Sequence, residues 1–206
     1  RYFQPCNSNM FGKTDIVPQT EDTPFNPQSV YACSKVFAYF VARYYREAFG
    51  MFASTGIFYN HESPRRTEEY VTRKITKAVA KIACGRQDKL VLGDMNAQID
   101  WGYSREYMEA AWNILQLDQP GDFILATGES HSVEEFVNEA FQVVKLKPKN
   151  FVVSDRALFR HTKTSELIGD SAKAREAFGF APRVKFQELV RIMVQADLDA
   201  EHDGER

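Results

Sequence analysis

Cysteine and histidine are scarce in this sequence, three of one and four of the other among 206 residues. Cys6, Cys33 and Cys84 are odd in number and far apart, which excludes a disulfide framework and the paired spacing of a zinc site, and points to a reducing cytoplasm. His61, His131, His161 and His202 are too scattered to form a metal site. No apolar run approaches about 18 residues, so no membrane-spanning segment is expected. Charge of one sign is also lacking. The 26 basic and 28 acidic residues leave a net of -2, with no general field for nucleic acid or an acidic membrane surface. None of the 11 glycines forms the G-x-x-G-x-x-G or G-x-G-x-x-G turn that cradles a dinucleotide pyrophosphate. The chain opens on Arg1, without Met and without a charged leader followed by an apolar stretch, which reads as a fragment with no signal peptide.

What is present suffices for one ordinary core, or one core and a small lobe, since 44% of the residues are hydrophobic. Strand-like and helix-like stretches alternate with short connections. "RYFQPCNSN" reads as a strand entering a polar turn. "NPQSVYACSKVFAYFVARYYREAFG" reads as a helix opened after Pro27 and closed by Gly50, with apolar residues at Cys33, Val36, Phe37, Phe40, Val41, Tyr44 and Ala48. "MFASTGIFYN", "KLVLGD", "FILATG" and "NFVVSD" read as strands. Between and after them fall a helix with Val71, Ile75, Ala78, Val79 and Ile82 on one side, and another with Met108, Ala111, Trp112 and Leu115 inward. A third opens on the capping-box spacing of Ser132 and Glu135, a fourth closes at Gly179, and a last one runs through "FQELVRIMVQADL" into a solvated tail, "DAEHDGER". This alternation predicts an α/β fold with a parallel sheet.

One spacing carries chemistry. Tyr31 and Lys35 in "SVYACSK" lie four apart, so they share a helix face. A free tyrosine ionises near pH 10, and a neighbouring ammonium favours the phenolate, which makes a usable general base beside a substrate alcohol. The spacing alone is weak. Nine tyrosines predict about 0.5 such pairs by chance, and Tyr70 with Lys74 forms a second. Context separates them. The Tyr31 helix follows a strand and a polar turn and precedes a buried strand, the setting of a site at the carboxyl ends of parallel strands. The Tyr70 helix carries Lys74, Lys77 and Lys81 along one side, the pattern of a solvated face.

At these residues the chain resembles a known family. "RYFQPCNSNMFGK", "TPFNPQSVYACSK", "GIFYNHESPRR", "VTRKITKAVAKI", "DWGYSREYMEAAW", "FILATGESHSVEEFV" and "PRVKFQELVRIMVQADL" together look like a GDP-mannose 4,6-dehydratase, an extended short-chain dehydrogenase/reductase, from Arg1 to about Leu198. The resemblance implies a Rossmann-like parallel sheet, incomplete because its amino-terminal half is absent, with a smaller α/β substrate-binding lobe. Residues 1–60 then form the carboxy-terminal part of the NADP-binding domain, and 61–206 mainly the sugar-nucleotide lobe, with 101–128 returning to the Rossmann domain. It implies bound NADP, a GDP-sugar substrate, and a homo-oligomer, dimer or tetramer. Hydride is taken from C4 of GDP-mannose, water leaves across C5 and C6, and hydride returns at C6 to give GDP-4-dehydro-6-deoxymannose. By motif position Tyr31 is the base at the C4 hydroxyl, and Lys35 holds the nicotinamide ribose. His61 and Arg66 contact the cofactor, Ser8 and Asn60 the substrate, and Arg160 the nucleotide phosphate.

The departures are as informative. The family's Ser-Thr-Ser-Glu reads Cys6-Asn7-Ser8-Asn9 here. Asn7 stands at the catalytic threonine and can still donate a hydrogen bond. Asn9 stands at the glutamate that removes the C5 proton, and an amide is no base near neutral pH. Gln98-Ile99 replaces Lys-Arg ahead of "DWG", and Arg160-His161-Thr162-Lys163 replaces Arg-Pro-x-Glu. Three expectations follow: the carboxy-terminal portion of an NADP-dependent GDP-mannose 4,6-dehydratase, an epimerase or reductase acting on a nucleotide sugar, or a catalytically degenerate homologue serving as a partner subunit.

Overall fold

A computed structural model describes residues 1–159 and 166–203. In chain order the elements are β1 (Tyr2–Asn7), α1 (Val30–Phe49), β2 (Ala53–Phe58), β3 (Asn60–Glu62), α2 (Val71–Ala83), β4 (Leu90–Leu92), β5 (Gln98–Ile99), β6 (Trp101–Tyr103), α3 (Ser104–Ile114), β7 (Asp122–Leu125), β8 (His131–Ser132), α4 (Val133–Val143), β9 (Val152–Ser154), α5 (Ala172–Phe178) and α6 (Phe186–Asp203). They gather into two compact units. The first holds Arg1–His61, Asp100–Ser130 and Thr164–Arg183, and the second holds Glu62–Ile99, His131–Lys163 and Val184–Arg206. The segment bearing α5 lies in the first unit.

The first unit is built on a parallel sheet in the order β1-β2-β7. All six residues of β2 are buried, as suits a strand with helices on both faces. Alternate side chains feed opposite layers. Cys6, Ile57 and Ile124 meet Met10, Phe11 and Tyr39 on one side, while Phe58, Phe123 and Leu125 meet Tyr107, Ile114 and Phe180 on the other. Fully buried side chains such as Ile57 and Ile124 each contribute about 1.5–3 kcal/mol on transfer from water. The Ser29 hydroxyl opens α1 by accepting from Ala32 N, and Gly50 closes it at φ 63°, a conformation that costs a β-carbon-bearing residue free energy.

The buried faces of two helices differ from those expected. On α1 the apolar rhythm through Phe37, Phe40, Val41 and Tyr44 is exposed, Phe37 at 71%, and the buried residues are Ala32, Tyr39 and Ala42. Two alanines let the helix axis approach the sheet, and the Tyr39 hydroxyl finds Asp122 Oδ2 at 3.1 Å. On α3 Met108 and Trp112 are exposed, not inward, and Tyr107, Ala110 and Ile114 are buried, the stripe one residue back. Tyr107 wins because its ring stacks on His61 and meets Phe58 and Phe180. Glu106 is buried beside it because its carboxylate accepts from Arg183 N at 2.9 Å.

In the second unit α2, α4 and α6 pack together, β4 pairs in parallel with β9, and β5 pairs antiparallel with β8. The face of α2 is as expected, with Ile75, Ala78, Val79 and Ile82 buried. The Ser132–Glu135 capping box forms with both reciprocal bonds, at 3.0 and 2.6 Å. Arg73 of α2 and Asp197 of α6 form a buried ion pair. The expected solvated tail is helical as far as Asp203, because Glu201 pairs with Arg86 at 2.6 Å.

Candidate active site

The carboxyl ends of the parallel strands set the site. Asn7 ends β1 opposite Phe58, which ends β2 and in turn faces Leu125 at the end of β7. Beyond Asn7 the chain turns at once into a 3-10 turn, Ser8–Met10. Asn7 starts that turn: its Oδ1 accepts from Asn9 N at 2.8 Å. That use of the carbonyl oxygen leaves the amide nitrogen as the donor. Ser8 is buried and Asn9 is exposed. Met10 and Phe11, both fully buried, anchor the turn in the core, and the turn packs against α1.

Tyr31 and Lys35 come together as their spacing requires. The Lys35 ammonium lies 5.6 Å from the centre of the Tyr31 ring. It is held there from a second side, because Nζ donates to Pro5 O on β1 at 3.0 Å. The cation is thereby tethered to the strand two residues before Asn7, with Tyr31 half-exposed above it. Cys6, between them in sequence, is inert: burial pushes its thiol up to about 12, against the opposing pull of Lys35.

Asn60 and His61 leave β2 at the same end of the sheet and begin β3. Nδ1 of His61 is 2.9 Å from Tyr59 O, and the ring is stacked on Tyr107 at 5.3 Å and 20°. Gly102 is required for this packing, since a β-carbon there would lie 2.3–2.6 Å from the Tyr107 ring and hydroxyl. Arg66 belongs to the second unit. Its guanidinium carbon sits 3.4 Å over the Tyr70 ring and its Nε is 3.3 Å from Glu62 Oε2. Arg160, expected at the nucleotide phosphate, lies outside the described residues. The second spacing match, Tyr70 and Lys74, is at the start of α2, where Tyr70 is engaged by Arg66 instead.

Sequence reasoning missed three supports of these groups: Pro5 under Lys35, Tyr107 behind His61, and Glu62 with Tyr70 around Arg66. Only the last leaves a local signal, a carboxylate and an aromatic each four residues from the arginine. Among the described residues no group of three His, Cys, Asp or Glu side chains could hold a metal ion, and no helix is long and apolar enough to cross a membrane. Each unit holds a cation of a kind suited to an anionic group: in the first, Lys35 is tethered to Pro5 O, and in the second, the Arg66 guanidinium is stacked on Tyr70.

The chain is similar to known proteins in sequence and in fold. A family model described as GDP-mannose 4,6 dehydratase matches residues 1–193. GDP-mannose 4,6 dehydratase 1 of Arabidopsis thaliana is 48% identical over 199 residues, covering 97% of this chain and 55% of the relative. The chain therefore spans about half the length of that curated relative. Among solved structures, RMD from Pseudomonas aeruginosa complexed with NADPH superposes with a TM-score of 0.88 at 16% identity, over 96% of this chain and 66% of that one. The dTDP-glucose 4,6-dehydratase of Bacillus anthracis in complex with NAD superposes with a TM-score of 0.83 at 19% identity, over 97% of this chain and 62% of that one. At such identity these two establish the fold, a Rossmann-like α/β architecture. With the family model spanning nearly the whole chain, the conclusion is plain: this chain belongs to the GDP-mannose 4,6 dehydratase family.

Proposed function

We propose that the protein is a nicotinamide-dependent sugar-nucleotide dehydratase that converts GDP-mannose to GDP-4-dehydro-6-deoxymannose, with NADP as its cofactor. The observation that carries this is the Tyr31–Lys35 pair, brought within 5.6 Å at the carboxyl end of a parallel sheet in a chain of this family. The nicotinamide, when bound, supplies the hydride acceptor and donor. Tyr31 Oη takes the proton of the C4 hydroxyl, and the ammonium of Lys35 stabilises the phenolate that does so. Asn7 Nδ2 replaces the usual hydroxyl donor to that oxygen. Ser8 and Asn60 line the sugar, while His61, Arg66 and Lys35 hold the cofactor and Arg160 the nucleotide phosphate.

Asn9 decides how well the elimination proceeds. Its amide cannot accept the C5 proton, so this protein eliminates water about 10²–10⁴-fold more slowly than an otherwise equal site with a carboxylate there. The same residue favours a second reading, in which oxidation at C4 leads to epimerisation or reduction without loss of water. Incubating the complete protein with GDP-mannose and NADP separates the two. We expect slow formation of the 4-keto-6-deoxy sugar, accelerated in Asn9→Glu. A C4 epimer, or net consumption of NADPH when that is supplied in place of NADP, establishes the second reading, and absence of any product from both proteins removes the enzymatic one. The aromatic face that α1 leaves uncovered, with Phe37 at 71% and Phe49 at 66% exposure, supports a homo-oligomer, dimer or tetramer. Three free thiols suit the reducing cytoplasm.

A further inference from the structure

Arg66 is built into a cluster that lies wholly within the second unit. Glu62 is buried, its side chain 2% exposed, and its Oε2 accepts from Thr72 Oγ1 at 2.6 Å. The same oxygen lies 3.3 Å from Arg66 Nε, a charge contact without hydrogen-bond geometry. Tyr70 covers one face of the guanidinium, ring centre to Cζ 3.4 Å. The main chain is fixed as well: Arg66 N donates to Ser63 O at 3.0 Å, and Arg73 Nε donates to Arg66 O at 3.2 Å.

Two features set this cluster apart from an ordinary surface arginine. The first is cost. Burial pushes the Glu62 carboxyl above the usual carboxylate range, in spite of the opposing Thr72 hydrogen bond and Arg66 charge. An arginine whose side chain is 25% exposed can be solvated without such a partner, so a buried carboxylate is not needed merely to neutralise it. The second is what stays uncommitted. Aromatic stacking on Tyr70 and the Nε contact with the Glu62 carboxylate hold the guanidinium plane, and neither engages its terminal Nη groups. A planar fork whose orientation is set beforehand, with its Nη donors uncommitted, matches the paired oxygens of a phosphate.

We propose that Glu62, oriented by Thr72, and Tyr70 are positioning residues that present the Arg66 guanidinium as a preorganised fork to one phosphate group of the nicotinamide dinucleotide. The inference rests on the reading of Arg66 as a cofactor contact. Glu62 fixes the plane through Nε, and Tyr70 blocks one of its faces. Neither touches the ligand.

The test is a set of NADPH and NADH titrations of the complete protein, read as dissociation constants. Glu62→Gln and Tyr70→Leu should each weaken NADPH binding about five-fold, the scale of one lost cation–aromatic or charge contact. In an Arg66→Ala background both should leave affinity unchanged, because they act only through Arg66. Equal weakening with and without Arg66 overturns the proposal and makes both residues merely structural. If Arg66→Ala weakens binding but neither neighbour does, positioning is wrong and the cofactor contact stands. If Arg66→Ala binds NADPH like the parent, the contact itself is wrong and the inference goes with it. Tyr70 is half-exposed, so its arm does not depend on how Glu62→Gln folds. A loss confined to NADPH assigns the fork to the 2′-phosphate and a loss shared with NADH assigns it to the pyrophosphate, and each supports the proposal.

Discussion

Arg46 of α1 and Asp122 of β7 are joined by two hydrogen bonds, Nη1 to Oδ1 at 2.9 Å and Nη2 to Oδ2 at 2.6 Å. Arg46 Nη1 also donates to Ala53 O at 3.0 Å, and Thr55 Oγ1 donates to Asp122 Oδ1 at 2.7 Å. The helix that carries Tyr31 and Lys35 is therefore tied to the sheet twice, here and through Lys35 to Pro5. The two ties are roughly 16 Å apart along the helix, at 1.5 Å per residue. A pair of side chains on a helix held at two points, here the proposed catalytic pair, keeps its place relative to the strand ends.

Removing Asp122 should expose how much of the fold depends on that tie. Both side chains are largely buried, 16% and 11% exposed, so Asp122→Ala strands a guanidinium. We expect a loss of about 3–5 kcal/mol in unfolding free energy, read from urea denaturation. The pH dependence has a definite sign. Burial pushes the Asp122 carboxyl up, but the hydrogen bonds from Arg46 and Thr55 and the charge of Arg46 outweigh it, and the net position is below the usual carboxylate range. A folded value below the unfolded one, about 3.9, means the stabilisation is present above roughly pH 4 and lost as pH falls through the folded value. The difference in stability between parent and Asp122→Asn should shrink only in that acid window.

Asp100 should resist replacement by its amide. It is fully buried, and burial raises its carboxyl above the usual range against several hydrogen bonds. Its Oδ1 accepts from Thr127 N and Oγ1 at 3.0 and 2.6 Å, and its Oδ2 accepts from Gly128 N at 3.0 Å. An asparagine turns an NH₂ toward one set of donors. Asp100→Asn should cost about 2 kcal/mol although it removes a buried charge, measured by thermal or urea unfolding.

Tyr31→Phe separates chemistry from folding. The residue is 54% exposed, and its ring contact with Lys35 survives the loss of the hydroxyl. Turnover should fall by about 10²–10⁴ while stability stays within about 0.5 kcal/mol. A parallel loss of stability would show that the hydroxyl holds the fold.

Gly102→Ala tests the wall behind His61. The added carbon meets the Tyr107 ring at 2.3–2.6 Å, and Tyr107 is fully buried and cannot retreat. We expect a loss of about 1–3 kcal/mol, together with a displaced His61 ring seen as changed imidazole resonances.

Features that depend on near neighbours were legible in the sequence: the Tyr31–Lys35 face, the Ser132–Glu135 capping box, the glycine at the end of α1, and the mostly apolar β2, buried on both faces. Each follows from spacing or from the backbone freedom of one residue. The tertiary structure alone decided which stripe of α1 and α3 faces inward, because both helices carry apolar side chains on adjacent stripes and periodicity cannot rank them. Tyr39 and Tyr107 settled it through partners distant in the chain, Asp122 and His61. It also decided that Lys35 is held from the strand side by Pro5, 30 residues earlier. Local rules describe what a segment can form, whereas burial and polar satisfaction depend on surfaces brought together only by the whole fold.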